Sequence, residues 1–134
     1  MATRIDEFSL EVSRILEDYA EDVQAAVAYA VEQTGKQALK LVKAKSPVRQ
    51  GKGGGRYKKG WRMKKERGGV FKTQSKVTIY NATDGPLVHL LELGHETANG
   101  GQAEGIPHVQ PAREEAERLL SELTAKAIEE ASNR

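Results

Sequence analysis

The feature that most constrains this chain is a long run of apolar residues spaced by three and four, starting near Val12 and reaching about Lys43. It comprises Val12, Ile15, Leu16, Tyr19, Val23, Ala26, Val27, Ala30, Thr34, Ala38, Leu41 and Val42. That spacing is one stripe of an amphipathic helix. Glu11, Glu17, Asp18, Glu21 and Asp22 load its first half with negative charge, and Lys36, Lys40, Lys43 and Lys45 load its end with positive charge. Both match the helix dipole. Gly35 costs about 1 kcal/mol against alanine and is the expected site of a kink. Ser46 and Pro47 end the helix, because a residue before proline is pushed out of the α region. About 32 helical residues make a rod of roughly 48 Å, whereas a compact domain of this size has a radius of gyration of about 14 Å. Such a rod overhangs its own domain and needs apolar cover, which oligomerisation would supply most simply.

The remainder predicts a small sheet and a second helix. Residues 49–55 hold four glycines and read as a loop. Residues 57–64 read as a strand with Tyr57, Trp61 and Met63 on one face, weakened by Gly60. Residues 66–69 suggest a turn. In 76–81, Val77 and Ile79 alternate with Thr78 and Tyr80 and predict a clearer strand. A turn follows over 81–86. Residues 87–93 are too short and too uniformly apolar to assign by periodicity. A second loop spans 97–105, around Gly100 and Gly101. Pro111, Glu114, Glu115 and Glu117 suit the start of a last helix, and Ala112, Ala116, Leu119, Leu120, Leu123, Ala127 and Ile128 supply its apolar face. The expectation is a single α+β domain over 1–134. It has a long N-terminal helix over about 5–45, a basic loop and small antiparallel sheet of about three or four strands over 46–96, a loop over 97–106, and a C-terminal helix over about 110–131.

Charge is strongly segregated. Residues 36–76 hold fifteen Lys and Arg against one acid, Glu66, while the rest of the chain carries a net charge of −12. The two parts could meet across subunit contacts, or the basic part could face a polyanion. Within it Lys52, Arg56, Lys58, Lys59, Arg62, Lys64 and Lys65, interleaved with Tyr57 and Trp61, could contact phosphates and stack on bases. The competing reading is a solvated strand and loop whose cations meet acidic helices. No fingerprint of sequence-specific nucleic-acid recognition is present. With few aromatics, the core must rest mainly on aliphatic and alanine side chains.

Catalytic chemistry is missing from the pattern, so no enzyme, metal or cofactor is expected. There is no cysteine and no GxSxG elbow. His89, His95 and His108, even with Glu92 and Glu96, lack metal-site spacing, and a structural or solvated role is expected for them. Ser46 has no visible base. The glycines around Lys52 lack phosphate-loop spacing. Glu92 is the one acid of an apolar segment, and pairing with an arginine or a backbone donor is expected. No apolar run reaches the roughly 20 residues of a membrane span. The N-terminus lacks a basic head before an apolar stretch, so a cytoplasmic product is expected.

The order of the punctuating residues is similar to that of a known family. A long helix ends in Ala44-Lys45-Ser46-Pro47-Val48, followed by Gly51 and by Gly55-Arg56-Tyr57-Lys58-Lys59-Gly60-Trp61. A strand ending at Asn81 precedes Leu90-Leu91-Glu92-Leu93-Gly94-His95, and Pro107-His108-Val109-Gln110-Pro111-Ala112 opens the last helix. This resembles the neck, or head–tail joining, family of long-tailed bacteriophages, also labelled a minor tail component, over nearly the whole chain. Departures are Gln50, where the family usually has threonine before the turn glycine, and longer loops before Tyr57 and around Gly100. Each matched position also has a physical reading. Pro47 and Gly51 redirect the chain from helix to sheet. Gly94 permits a backbone geometry or close approach barred to other residues. Pro111 starts the last helix. Trp61, Glu92 and Pro107 complete the family-motif positions.

The resemblance implies a structural virion protein. It would form a ring, expected to be hexameric, between head-closure and tail-terminator proteins, assembled in the host cytoplasm, with DNA passing through the lumen. The basic segment would then line the channel, with non-specific contact to genomic DNA, or dock on an acidic neighbour. Two other readings stay open: a tail-terminator or head-closure subunit of the same particle, and a small basic nucleic-acid-binding protein.

Overall fold

The computed structural model describes residues 6–12, 21–48, 55–67 and 75–132. Its elements are β1 (Glu7–Val12), α1 (Glu21–Lys45), α2 (Arg56–Lys59), β2 (Trp61–Arg67), β3 (Ser75–Asn81), a 3-10 turn (Gly85–Leu87), α3 (Val88–Leu93), β4 (Gly94–Glu96), β5 (Gln102–Glu104) and α4 (Val109–Ser132). The fold is α+β, as the sequence predicts. β1, β3 and β2 form an antiparallel sheet with β3 in the middle, and β4 and β5 form a separate two-stranded hairpin. Gly51 and Lys52 lie outside the described residues, as does most of the 49–55 loop.

The expected helix from about residue 5 is corrected at its start. Residues 7–12 are a strand, because Phe8 and Leu10 alternate with Glu7, Ser9 and Glu11, a period of two rather than 3.6. Phe8 stands opposite Ile79 and Leu10 opposite Val77. With Trp61 and Met63 of β2 they build one apolar face. The other face carries polar rows across the three strands: Glu7, Tyr80 and Arg62; Ser9, Thr78 and Lys64; Glu11, Lys76 and Glu66. The Ser9 and Thr78 hydroxyls are hydrogen-bonded at 2.9 Å.

Three further expectations are revised. Residues 56–59 form a helical turn rather than strand, and β2 begins at Trp61. Tyr57 on that turn and Trp61 at the start of β2 are both buried. Glu66 and Arg67 continue β2 instead of turning. Within the loop expected over 97–105, residues 102–104 form β5, pairing Ala103 with His95. The unassigned 87–93 segment is the end of the 3-10 turn followed by α3.

The helices α1 and α4 pack antiparallel. One end of the pair joins the main core, where Val31, Ala38 and Val42 of α1 and Ala112 and Ala116 of α4 meet the apolar face of the sheet. The far end forms its own cluster of Val23, Val27 and Ala131 flanked by Ala26, Ala127 and Ile128. The overhang of α1 is therefore covered within the chain by α4. A groove of about 580 Å³ remains along this pair, lined by Ala25, Ala26, Tyr29, Leu123 and Ala127 among others. Among the described residues no helix is long and apolar enough to cross a membrane.

Gly35 has a role other than kinking. The helix runs continuously through it, and a Cβ there would lie 2.7 Å from Met63 Sδ and 2.8 Å from Val77 Cγ2. The missing side chain sets how closely α1 lies on the sheet. Gly35→Ala is expected to destabilise the fold by about 1–2 kcal/mol, against the gain of nearly 1 kcal/mol that helix propensity alone gives. A fall in Tm measured by circular dichroism is the expected result; a rise would show that the helix can lift away at no cost.

Candidate functional site

The six described cations of the basic segment are brought to one edge of the molecule, but not onto one face. Arg56, Lys58 and Lys59 sit on α2, and β2 leaves it directly through Gly60. Along β2, Arg62 and Lys64 lie on the polar face and Lys65 on the other side, beside α1. Several meet acids or carbonyls of this chain. Lys65 Nζ is 3.1 Å from Glu32 of α1, Lys64 is 3.3 Å from Glu66, and Arg56 is 3.4 Å from Asp84. Arg62 donates to the carbonyls of Lys59 and Trp61. The three lysine and arginine side chains in these ion pairs are more than half exposed, so each pair is worth at most about 1 kcal/mol. They remain available to a stronger partner.

The two aromatics of the segment do not share this surface. Trp61 is 0% and Tyr57 9% exposed, so neither can stack on a base. That removes the stacking half of the nucleic-acid reading and leaves phosphate contact alone. Trp61 Nε1 donates to Ser46 Oγ at 2.8 Å, and that hydroxyl donates to Val42 O at 2.5 Å. Ser46 and Pro47 thus deliver the chain out of α1 against the root of β2. Asn81 at the end of β3 donates to Tyr57 O at 2.8 Å, and its carbonyl oxygen accepts from the Thr83 and Asp84 amides.

Beneath the cationic edge lies a buried polar junction centred on Glu92. Its Oε1 accepts from the amides of His108 and Val109, both at 2.8 Å, and its Oε2 accepts from Gln110 N at 2.9 Å. These are the amide that immediately precedes α4 and the first two of α4 itself. Pro111, next in line, has no N–H to satisfy, so this helix start is fully accounted for. No acid lies in the first turn of α4, and Glu92, reaching across from α3, supplies the negative charge its dipole favours. Of the two partner types expected for Glu92, the structure shows backbone donors.

His108, for which the sequence left a solvated or a structural role open, completes the junction. It is fully buried. Its Nε2 lies 2.6 Å from Tyr57 Oη, and its Nδ1 lies 2.6 Å from Ile106 O and 2.9 Å from Glu92 Oε1. Burial first, then the charges of Glu92 and Asp84, push the Tyr57 phenol well above its usual range. Nδ1 faces two acceptor oxygens, Ile106 O and Glu92 Oε1, so the tautomer that satisfies all these contacts carries its proton on Nδ1 and accepts at Nε2 from the Tyr57 hydroxyl. The rings of Tyr57, Trp61 and His108 pack edge to face, with centroids 5.5–6.2 Å apart. Gly94 follows α3 with φ +87°, and a Cβ there would lie 2.5 Å from Ala103 O. It joins α3 to the β4–β5 hairpin in a conformation that only glycine adopts cheaply. Pro107 precedes His108 in the exposed approach to α4. Among the described residues no group of histidines and acids is arranged to hold a metal.

Glu92→Gln keeps the shape but leaves a single acceptor oxygen for three amides. It is expected to cost about 2–3 kcal/mol in urea unfolding, with faster amide exchange at His108, Val109 and Gln110. Unchanged exchange there would show that the cap contributes little. A second expectation concerns alkaline pH. The unfolded phenol of Tyr57 ionises near its ordinary value of about 10, while the folded one stays protonated to higher pH. Raising pH above about 10 therefore favours the unfolded state and stability falls. Tyr57→Phe, less stable at neutral pH, should lose stability less steeply over that range; identical slopes for the two proteins would contradict this account.

Two comparisons with known proteins return nothing: no curated protein and no solved structure matches the chain. A family model described as "Bacteriophage HK97-gp10, putative tail-component" matches residues 11–94. That span, more than half of the chain, takes in Pro47, Gly51, Trp61, Glu92, Gly94 and all seven cations of the basic segment, and it stops before Pro107 and Pro111. The chain therefore belongs to the HK97-gp10-like family of bacteriophage tail components.

Proposed function

We propose that this protein is a non-enzymatic subunit of the phage neck, forming a ring that joins the DNA-filled head to the tail and lets the genome pass. The observation that carries this reading is membership of a tail-component family. Its support from the site is architectural. The polar side chains buried beneath the basic edge satisfy the helix start and one another, so they hold the fold together rather than present reacting groups to a substrate. The charged groups are instead on the exterior, where neighbouring proteins and DNA are met. A genome sliding through a lumen requires contacts indifferent to sequence, and exposed cations such as Arg56 and Lys59 of α2, without aromatic stacking, supply that kind of contact. The neighbours in this reading are the adjacent head-closure and tail-terminator proteins.

Phage deleted for this gene are expected to make DNA-filled heads and complete tails that remain separate in electron micrographs, with infectivity restored by supplying the protein in trans. Normal infectious particles from a clean deletion would overturn the neck assignment.

A further inference from the structure

The two outer strands of the sheet carry opposite charge. Among the described residues β1 and β2 each pair only with β3, so the far side of each strand has no strand partner for its outward amides and carbonyls. β1 bears Glu7 and Glu11 and no base. β2 bears Arg62, Lys64, Lys65 and Arg67 against Glu66. The side chains of Glu11, Arg62, Lys64 and Lys65 are exposed. Strand edges are ready templates for further pairing, and their charges decide which pairings are allowed.

We propose that the β2 edge of one copy pairs with the β1 edge of the next, continuing the sheet from subunit to subunit. This rests on the ring reading above and names the surface that would build it. Three observations carry it. Charge is the first: β2 against β2 sets base against base and β1 against β1 sets acid against acid, so each edge is repelled by its own kind and attracted by the other. Length is the second, since β1 has six residues and β2 seven. Direction is the third. Both strands run antiparallel to β3, so they run alike, and copies related by a modest rotation meet as parallel neighbours. A register that sets Lys64 beside Glu11 also brings Met63 level with Leu10, so the polar face and the apolar face both continue across the joint. Because the two edges are different surfaces, the contact is head-to-tail, the kind that closes into rings. The exposed Lys64–Glu66 pair within the chain is weak enough to exchange for Glu11 of a neighbour.

The chain has no cysteine, so the contact can be read by crosslinking the full-length protein. In one chain, positions 11 and 64 are separated by the middle strand, about 9.6 Å or more, beyond the roughly 7 Å reach of a disulfide. Glu11→Cys/Lys64→Cys under mild oxidation should therefore give a ladder of covalent multimers ending at the ring's copy number, while each single variant gives none. In parallel, Lys64→Glu should weaken self-association at least about tenfold with an unchanged circular dichroism spectrum, and adding Glu11→Lys should restore it. Rings by size that yield no ladder, or Lys64→Glu that assembles normally, would overturn the edge contact and leave the neck reading standing. A chain that stays monomeric at every concentration would overturn it too, and the deletion phenotype then judges the neck reading by itself.

Discussion

The carboxylate of Glu92 is the interaction on which the arrangement of this molecule depends. A buried carboxylate without partners costs several kcal/mol, and here three amides of one helix start receive it. The cap fixes where α4 begins relative to α3. Through α4 it fixes the partner of α1, and α1 in turn covers the sheet. His108, held between Glu92, Ile106 O and the Tyr57 phenol, carries the same junction to the base of β2, where Trp61 closes on Ser46. A chain poor in aromatics thus gathers three aromatic rings at one point, and the elements that meet there are those bearing the exposed cations. Rigidity beneath the basic edge follows from this buried network, whatever that edge contacts.

Much of the fold was legible because its signals are local. The apolar stripe through Val23, Val27, Ala30, Ala38 and Val42 gave α1, the Val77 and Ile79 alternation gave β3, and the Ala112 to Ile128 stripe gave α4. What failed did so where a short signal lay beside a long one. Phe8 and Leu10 have strand periodicity, but over so few residues that the adjacent helical stripe absorbed them. Tyr57 and Trp61 carry both a strand reading, as alternate residues, and a helical reading, four apart; only the core behind them decides. β5 has no β-branched residue and forms because Ala103 finds His95.

The junction was legible only in part, for the same reason. An isolated acid in an apolar segment announces that Glu92 needs a partner, and nothing nearby supplies one. The other half of the signal lies sixteen to eighteen residues on, where a helix starts without Ser, Thr, Asp or Asn as its cap. Read together, an orphan acid and an uncapped helix are complementary deficits. Gly35 shows the opposite limit. Its cost to the helix is visible in sequence, while its benefit, close approach to Met63 and Val77, exists only once a sheet lies across it.

The charge asymmetry changes meaning in three dimensions. In sequence it looks like a basic block against acidic flanks, which suits a polyanion as well as a protein. In the sheet, the polar face mixes both signs in rows, Glu7 with Arg62 and Lys76 between Glu11 and Glu66, so it presents no uniform field to a nucleic acid. The segregation survives between the two edges instead, acidic at β1 and basic at β2. Such a pattern would be wasted on a long polyanion, which would bind the basic edge and ignore or be repelled by the acidic one. It suits a neighbour that carries the same two edges, and in the ring proposed above the simplest such neighbour is the protein's own copy. In the ring proposed above, the cations left for DNA would be those that the joint leaves uncovered, above all those of α2, which stands outside the sheet.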